Sequence, residues 1–230
     1  MEQTIAGGEV QMTVKRKQWL DEKRAQAVER YDRIFSEDYD EKWGEISPSH
    51  KKYVEEILGR LSPGDSILDA ACGTGKYWPF LGDYRVTGID QSGQMLAKLK
   101  RKYPEATTHV QSLQELELDN TFSGILCIDA MENIPPEDWG IVIANFSQHL
   151  EPAGFLYITV EQTTEEQIRK AHISAKKWGL PVLPGEVALE GYHFYPLPQN
   201  VKKWLTDEGF AIIRDDHGDG YWHLLCQKKI

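Results

Sequence analysis

Short apolar runs alternate with stretches of helical periodicity through the middle of the chain. The runs predict strands at residues 66–71, 85–89, 107–110, 124–129 and 155–160. Between them, apolar residues recur every three or four positions, which predicts helices over residues 94–103 and 139–150. Strands that alternate with helices are typical of a mostly parallel sheet covered on both faces. The pattern therefore favours an α/β fold.

Both ends of the chain depart from this alternation. Residues 1–12 are polar and predict a flexible arm, whereas residues 13–52 combine high charge with apolar residues at helical spacing and predict a helical cap. Near the C-terminus, a predicted helix over residues 199–208 precedes two apolar runs, 210–214 and 221–227, joined by a turn-rich segment. We therefore expect the core to begin after the cap and to end in a hairpin.

Composition limits the classes of partner. The chain has 230 residues, 40% of them apolar, which suffices for one core plus a small appendage. Its 26 basic and 36 acidic residues give a net charge of −10, which argues against nucleic acid as a partner. Cys72, Cys127 and Cys226 have neither disulfide nor zinc-site spacing. With no signal peptide or membrane span in the sequence, we expect a cytoplasmic protein without a metal or a membrane.

A glycine-rich turn at residues 72–75 lies between the first predicted strand and a helix predicted over residues 77–81. A P-loop would require glycine where Ala70 stands and a magnesium-binding hydroxyl where Tyr77 stands. A dinucleotide fingerprint would require a small residue where Trp78 stands, because the helix must press against the strand. The interpretation left is a nucleoside ligand without a pyrophosphate.

The motif Asp69-x-Ala71-x-Gly73-x-Gly75 resembles the first motif of class I S-adenosylmethionine-dependent methyltransferases. Ala71 replaces the first glycine of that motif, a change that we expect to cost only a methyl group. The pair Asp90-Gln91, after the second predicted strand, is similar to the family's second motif, in which a carboxylate accepts both ribose hydroxyl protons. A helix N-cap is the structural alternative for Asp90.

The resemblance covers residues 53–230 and implies S-adenosylmethionine as the cofactor. The implied fold is a doubly wound, Rossmann-like, seven-stranded and mostly parallel sheet with an antiparallel C-terminal strand. It also implies further cofactor contacts. Ser112 and Leu113 would contact the adenine, Asp129 would flank the sulfonium, and Tyr39 and Trp43 of the cap would cover the cofactor. For Asp129 and the two aromatic residues, a strand-end charge and helix packing remain open alternatives.

An acceptor would lie beyond the last parallel strand, where residues 161–197 form an insertion too long for an ordinary connection. We interpret this insertion as a substrate lid. Within it, an apolar stripe ending at Ala175 and Trp178 predicts a helix that packs on the core. Aromatic residues surround His193, which is a candidate base, and Glu161 is a candidate acceptor-orienting carboxylate. A hydrogen-bonded structural histidine and a strand-end charge are the alternatives.

The sequence therefore predicts methyl transfer from S-adenosylmethionine to a small-molecule acceptor, with nitrogen or oxygen as the nucleophile. It leaves the oligomeric state open. One alternative is a regulatory or partner subunit that binds the cofactor without catalysis. Another is a macromolecule methyltransferase, which is disfavoured because residues 134–137 lack the polar and aromatic groups of the family's amide-recognising tetrapeptide. An oxidoreductase is last because of Trp78.

Overall fold

The computed structural model describes residues 13–35, 38–188 and 191–230, with backbone alone at residues 34 and 35. The predicted arm, residues 1–12, lies outside the described residues. The main sheet consists of β1 (Ser66–Ala70), β2 (Arg85–Asp90), β3 (Thr107–Val110), β4 (Phe122–Cys127), β5 (Leu150–Glu161), β8 (Phe210–Gly218) and β9 (Tyr221–Lys228). Two short strands, β6 (Glu186–Val187) and β7 (His193–Phe194), pair with each other.

The main sheet has seven strands in the order β3-β2-β1-β4-β5-β9-β8. Strands β1 to β5 are parallel, and β9 runs antiparallel to both of its neighbours. This confirms the predicted fold class. The segment at 215–218, predicted as part of a turn, belongs instead to β8. Asp219 and Gly220 alone make the turn, with φ of +51° and +84°, because a two-residue hairpin requires this left-handed backbone.

Helices cover the sheet and its carboxyl edge. They are α1 (Val14–Glu29), α2 (Tyr39–Trp43), α3 (Pro48–Leu58), α4 (Gly93–Lys102), α5 (Trp139–His149), α6 (Glu165–Lys177) and α7 (Pro198–Asp207). A π-helical turn, Arg30–Phe35, continues α1 toward α2. Helix α3 spans the boundary at residues 52 and 53 that separates the predicted cap from the predicted core, and it packs against β5 and β9. The division into cap, core and insertion stays a prediction.

The core lies on both faces of the sheet. Alternation along β5 places Leu156 and Ile158 in one apolar cluster and Tyr157 in the other. The first cluster contains Trp139 of α5, and the second contains Tyr53 of α3, so each face is sealed by a different helix. This is the burial that a period of two produces in a central strand.

The α-helix predicted over residues 77–81 is wrong. The chain forms only a 3₁₀ turn, Trp78–Phe80, stabilised by i to i+3 hydrogen bonds such as the one from the Leu81 amide to the Trp78 carbonyl. Pro79 has no amide hydrogen for a helical bond, and few residues separate the glycine turn from β2. These constraints favour the tighter turn.

The stripe in the insertion forms the predicted helix, and its packing differs from the prediction only at its last residue. Helix α6 buries Ala175, whereas the Trp178 side chain after its end is 79% exposed. Cys72, Cys127 and Cys226 are free and buried. Over the described part of the chain, no helix combines the length and the apolar character needed to cross a membrane.

Candidate active site

A cleft opens at the carboxyl ends of β1, β2, β3 and β4, where open α/β sheets bind their ligands. It encloses about 730 Å³, which includes space open to solvent. The predicted cofactor residues in its wall are Tyr39, Ala71, Gly73, Asp90, Gln91, Ser112, Leu113 and Asp129. The structure does not bring Asp69, Gly75 or Trp43 to this wall.

The glycine turn owes its shape to three residues in the left-handed region. The φ angles are +63° at Ala71, +54° at Gly73 and +79° at Gly75. The expectation that alanine in the first position costs only a methyl group is therefore incomplete, because an L-residue in this conformation also strains the backbone. A Cβ on Gly75 would approach Leu99 at 3.2 Å and Trp78 at 3.3 Å, so this glycine allows α4 to pack closely.

Asp90 ends β2 and faces the cleft with an oriented carboxylate. Its Oδ2 accepts a hydrogen bond from the Gly73 amide at 2.8 Å, and its Oδ1 accepts one from the Ser92 amide at 2.8 Å. Burial raises the pKa of Asp90 to about 6, although the two amides oppose this shift. Because each carboxylate oxygen accepts more than one hydrogen bond, Asp90 retains acceptor capacity for a ligand in the cleft.

Asp69 is a buried partner of the turn. Its Oδ2 accepts a hydrogen bond from the Trp78 indole nitrogen at 2.9 Å, and burial raises the pKa of its carboxyl to about 7. The tryptophan that argued against a dinucleotide thus stabilises the turn through Asp69. Trp43, at the end of α2, is 55% exposed.

The segment before α3 is fastened to the cofactor loops by two carboxylates. Asp32 accepts hydrogen bonds from the Ser92 hydroxyl at 2.6 Å and from the Gln94 amide at 3.2 Å. Asp40 accepts from the Thr74 hydroxyl and from Lys102 Nζ, the latter at 3.0 Å. These bonds hold the π-helical turn and α2 over the mouth of the cleft.

Sequence reasoning missed several residues of the cleft wall: Arg24, Ala27, Met95, Gln111, Gln114, Ala130, Asn133 and Ile134. Arg24 is held by Asp138 Oδ2 at 2.6 Å, and Gln114 donates to the same oxygen at 3.1 Å. A signal was present in α1 and the π-helical turn that follows it, because Arg24, Ala27 and Tyr31 follow one another at helical spacing. This face of the cap lines the cleft, and it includes two of the residues that sequence reasoning missed, Arg24 and Ala27.

The two candidate catalytic residues come together beside the insertion. Nδ1 of His193, on β7, lies 2.8 Å from Oε2 of Glu161, which ends β5. The Tyr195 hydroxyl donates to the same carboxylate oxygen at 3.2 Å. The sequence identified the histidine and the glutamate separately, and the tertiary structure pairs them.

Asp129 and Glu132 follow β4 at the junction of the cleft and the insertion. Asp129 has a left-handed backbone with φ of +57°, its amide donates to the Thr159 hydroxyl at 2.8 Å, and its Oδ1 accepts from the Tyr221 hydroxyl. Glu132, which sequence reasoning missed, is 5% exposed. Burial and then the neighbouring Asp129 charge raise the pKa of Glu132 well above its usual range.

Comparison with known proteins gives a consistent result. Residues 67–154 match the family model described as "Methyltransferase domain". The chain is 29% identical over 106 residues to a dTDP-3-amino-3,4,6-trideoxy-alpha-D-glucopyranose N,N-dimethyltransferase of Streptomyces venezuelae, a match over 44% of the chain and 45% of that protein. It is 27% identical over 173 residues to a demethylmenaquinone methyltransferase of Chlorobaculum parvum, over 73% of the chain and 70% of that protein.

Solved structures extend the likeness to the fold. The chain resembles the magnesium protoporphyrin IX methyltransferase of Synechocystis PCC 6803 with bound SAH, with a TM-score of 0.66 and 18% identity. The match covers 90% of this chain and 100% of that chain. By contrast, the chain spans less than half the length of the first curated relatives that it matches. Taken with the sheet order, these matches show a methyltransferase domain at residues 67–154 within the fold of class I S-adenosylmethionine-dependent methyltransferases.

Proposed function

We propose that this protein transfers a methyl group from S-adenosylmethionine to a small-molecule acceptor through a nitrogen or oxygen nucleophile. The observation that carries the proposal is Asp90, whose carboxylate lies in the cleft wall and is oriented by the Gly73 and Ser92 amides. The names of the relatives support a small acceptor, because one methylates a nucleotide-linked amino sugar and another a demethylmenaquinone.

The turn fits a nucleoside better than a diphosphate. A phosphate cradle needs free backbone amides. In this turn the Cys72 amide donates to the Ile89 carbonyl, the Gly73 amide to Asp90 and the Gly75 amide to the Cys72 carbonyl. The carboxylates of Asp90 and Asp129 in the cleft wall would also repel a diphosphate. The hydroxyl groups of a neutral ribose can donate hydrogen bonds to these carboxylates, and a sulfonium cation is attracted to their negative charge.

The cofactor would lie along this wall in the order of the strands. Ser112 and Leu113 would hold the adenine, Asp90 and Gln91 the ribose, and Asp129 the end that carries the sulfonium. When bound, S-adenosylmethionine supplies a methyl group that its own positive sulfur activates. The protein must then align a nucleophile with that carbon and exclude water.

His193 and Glu161 are the proposed proton-handling pair. Glu161 accepts from Nδ1–H of His193, which leaves Nε2 of the neutral ring as the proton acceptor. The hydrogen bond from Tyr195 holds the carboxylate in place for this role. The pair would take a proton from a hydroxyl or an amine before or after transfer.

Ion pairs between the cap and the insertion, which would help to enclose an acceptor, support a catalytic role over a purely regulatory one, and a small acceptor over a macromolecule. Arg16 of α1 binds Glu137 before α5 and Glu186 in the insertion, and the carboxylates of both are nearly buried. These ion pairs fasten the cap to the insertion next to the site. The cytoplasmic location expected from the separated cysteines stays a prediction.

Replacement of Asp90 by alanine tests the proposal. We expect the affinity for S-adenosylhomocysteine to fall by about 1–3 kcal/mol, because hydrogen bonds to a charged acceptor are lost. Isothermal titration calorimetry measures this change, with Asp119→Ala, at an exposed loop position, as the matched control. Thermal unfolding verifies that both variants are folded. Unchanged affinity in Asp90→Ala, or a nicotinamide dinucleotide in native mass spectra of the purified protein, contradicts the proposal.

A further inference from the structure

Three carboxyl groups meet between the cleft and the insertion, and tyrosines surround them. The members of this group, which we name the carboxyl–tyrosine cluster, are Asp129, Glu132, Glu161, Tyr31, Tyr39, Tyr195 and Tyr221. The 3₁₀ turn that contains Glu132, Met131–Asn133, packs against β5 and β7, and the Asp129 amide donates to the Thr159 hydroxyl of β5. The electrostatic effect of Glu132 on all four phenols agrees with this arrangement. The cluster thus lies where the cap, the end of β5 and the start of β9 converge.

Two of the three carboxyl groups are supplied with donors by this cluster. The Tyr221 hydroxyl donates to Asp129, and the Tyr195 hydroxyl donates to Glu161. Glu132 differs, because its Oε1 accepts from the Asn133 amide group at 3.0 Å while its Oε2 has no partner among the described residues. A buried carboxyl oxygen without a donor is costly and is uncommon in folded proteins. Glu132 therefore keeps hydrogen-bonding capacity that no described residue uses.

No lysine or arginine is among the main groups that act on the pKa of Glu132. Lys76 is half-buried, and its charge interacts with Asp129 and Glu45. Within residues 13–35, 38–188 and 191–230, neither Glu132 nor Glu161 forms an ion pair with lysine or arginine, and Glu161 pairs with His193. A ligand that carries both a donor and a positive charge would satisfy Glu132 in full.

We propose that the methyl acceptor is an amine, which enters as its ammonium ion and donates an N–H to Oε2 of Glu132. This inference rests on the proposed function and narrows its nucleophile from nitrogen or oxygen to nitrogen. An ammonium ion offers several donors and a charge that both carboxylates and tyrosine rings attract. A hydroxyl group offers one donor and no charge, so it would leave the cluster poorly compensated.

His193 and Glu161 supply the proton acceptor that methyl transfer to an amine requires. The bound ammonium ion gives one proton to the neutral imidazole of His193, whose Nδ1–H is held by Glu161. The freed lone pair on nitrogen then forms the N–C bond as the methyl carbon leaves sulfur. The electron pair of the broken C–S bond stays on sulfur, which becomes a neutral thioether, and the product is the methylated ammonium ion. The imidazolium afterwards returns its proton to solvent.

Paired acceptors of equal shape test the proposal. The probes are benzylamine with benzyl alcohol, tyramine with tyrosol, and glucosamine with glucose, titrated by calorimetry into protein saturated with S-adenosylhomocysteine. In at least one pair we expect the amine to bind about ten- to hundredfold more tightly than its hydroxyl analogue, since a charge-assisted hydrogen bond is gained. Release of S-adenosylhomocysteine from S-adenosylmethionine then measures turnover of the same probes.

Glu132→Gln tests the residue, with Glu105→Gln, at an exposed position, as the control. We expect Glu132→Gln to lose the preference for the amine while its affinity for S-adenosylhomocysteine stays within about twofold of wild type. Calorimetry in two buffers of different ionisation enthalpy adds an independent readout. Amine binding to wild type should release protons, because Glu132 must ionise to pair with the cation, and the variant should release fewer.

Three results would overturn the amine assignment. They are equal or tighter binding of the hydroxyl analogues, an amine preference that survives in Glu132→Gln, and absence of saturable binding by every amine probe. The wild-type comparison does not depend on the folding of any variant. Failure of wild type to bind S-adenosylhomocysteine would instead contradict the proposed function, so the two failures are distinguishable.

Discussion

The cofactor end and the acceptor end of the site are built in different ways. At the cofactor end, the glycine turn and Asp90 come from neighbouring strands, and backbone amides such as those of Gly73 and Ser92 do most of the orienting. At the acceptor end, side chains do this work, and they come from the segment after β4, the end of β5, β7 and the start of β9. One half of the site is therefore encoded by local backbone geometry and the other by long-range packing.

Both ends contain one strained non-glycine residue. Ala71 at the cofactor end and Asp129 at the acceptor end adopt φ angles of +63° and +57°. Left-handed backbone outside glycine is uncommon and is found most often where the surrounding structure enforces it. Here each strained residue follows a central parallel strand and lines the cleft. The two strained residues therefore lie where the chain leaves a central strand and enters the wall of the cleft.

The largest effect should come from breaking the buried ion pairs that join the cap to the insertion. Arg16 is 4% exposed and donates to Glu137, to Glu186 and to the Pro181 carbonyl. We expect Arg16→Met to lower the free energy of unfolding by about 3–5 kcal/mol, because two carboxylates remain buried without a partner. Urea denaturation measures the loss.

A matched exposed pair provides the control for Arg16→Met. Lys170 pairs with Glu166 on α6, and both side chains are more than half exposed. Lys170→Met should change the free energy of unfolding by less than about 1 kcal/mol. Hydrogen exchange should also rise in α1 and residues 181–188 of the Arg16 variant before it rises in β1 and β2. A uniform increase across the molecule would mean that the two ends do not unfold separately.

The next effect concerns Asp69, whose carboxyl has a pKa raised to about 7 from 3.8, chiefly by burial. The folded state therefore binds this proton more tightly than the unfolded state. Its contribution to stability is full below about pH 4 and is lost as the pH rises through about 7. Asp69→Asn cannot ionise and still offers an oxygen to Trp78, so at about pH 8 we expect a gain of roughly 2–4 kcal/mol.

Urea denaturation at about pH 5 and at about pH 8 measures this change. The gain should shrink at the lower pH, although Asp90, with a pKa of about 6, keeps some pH dependence in the variant. Affinity for S-adenosylhomocysteine should stay near the wild-type value, because Asp69 does not line the cleft. A clear loss of affinity would mean that Asp69 acts on the cofactor directly. Asp69 would then not be a purely structural carboxylate.

The smallest effect is expected at Ala71. Glycine there removes backbone strain of about 1–2 kcal/mol but adds about 0.5–1 kcal/mol of chain entropy to the unfolded state. Ala71→Gly should therefore stabilise the protein by up to about 1 kcal/mol. Ala25→Gly, at an exposed position inside α1, should destabilise it by about 1 kcal/mol. Thermal unfolding of the two variants should show shifts of opposite sign, and shifts of the same sign would contradict the strain assigned to Ala71.

Individual residues show which features of the site could be predicted from the sequence and which could not. Asp90 and Gly73 were predicted together and lie together, because the motif spacing places both at the carboxyl ends of adjacent strands. Trp78 was interpreted as an argument against a dinucleotide fingerprint, and its hydrogen bond to Asp69 was not foreseen. Glu132 escaped notice, since one more acidic residue in a loop has no periodicity that sets it apart.

The alternation of strands and helices and the hairpin at the edge of the sheet could be predicted from the order of residues, because burial imposes its period directly on that order. The glycine turn could be predicted too, since few other residues tolerate its left-handed backbone. Three contacts became evident from the folded chain alone: His193 meets Glu161, Glu132 is buried without a full set of donors, and Arg16 joins the cap to the insertion. These contacts join residues far apart in the chain, and local patterns contain no information on which distant side chains meet.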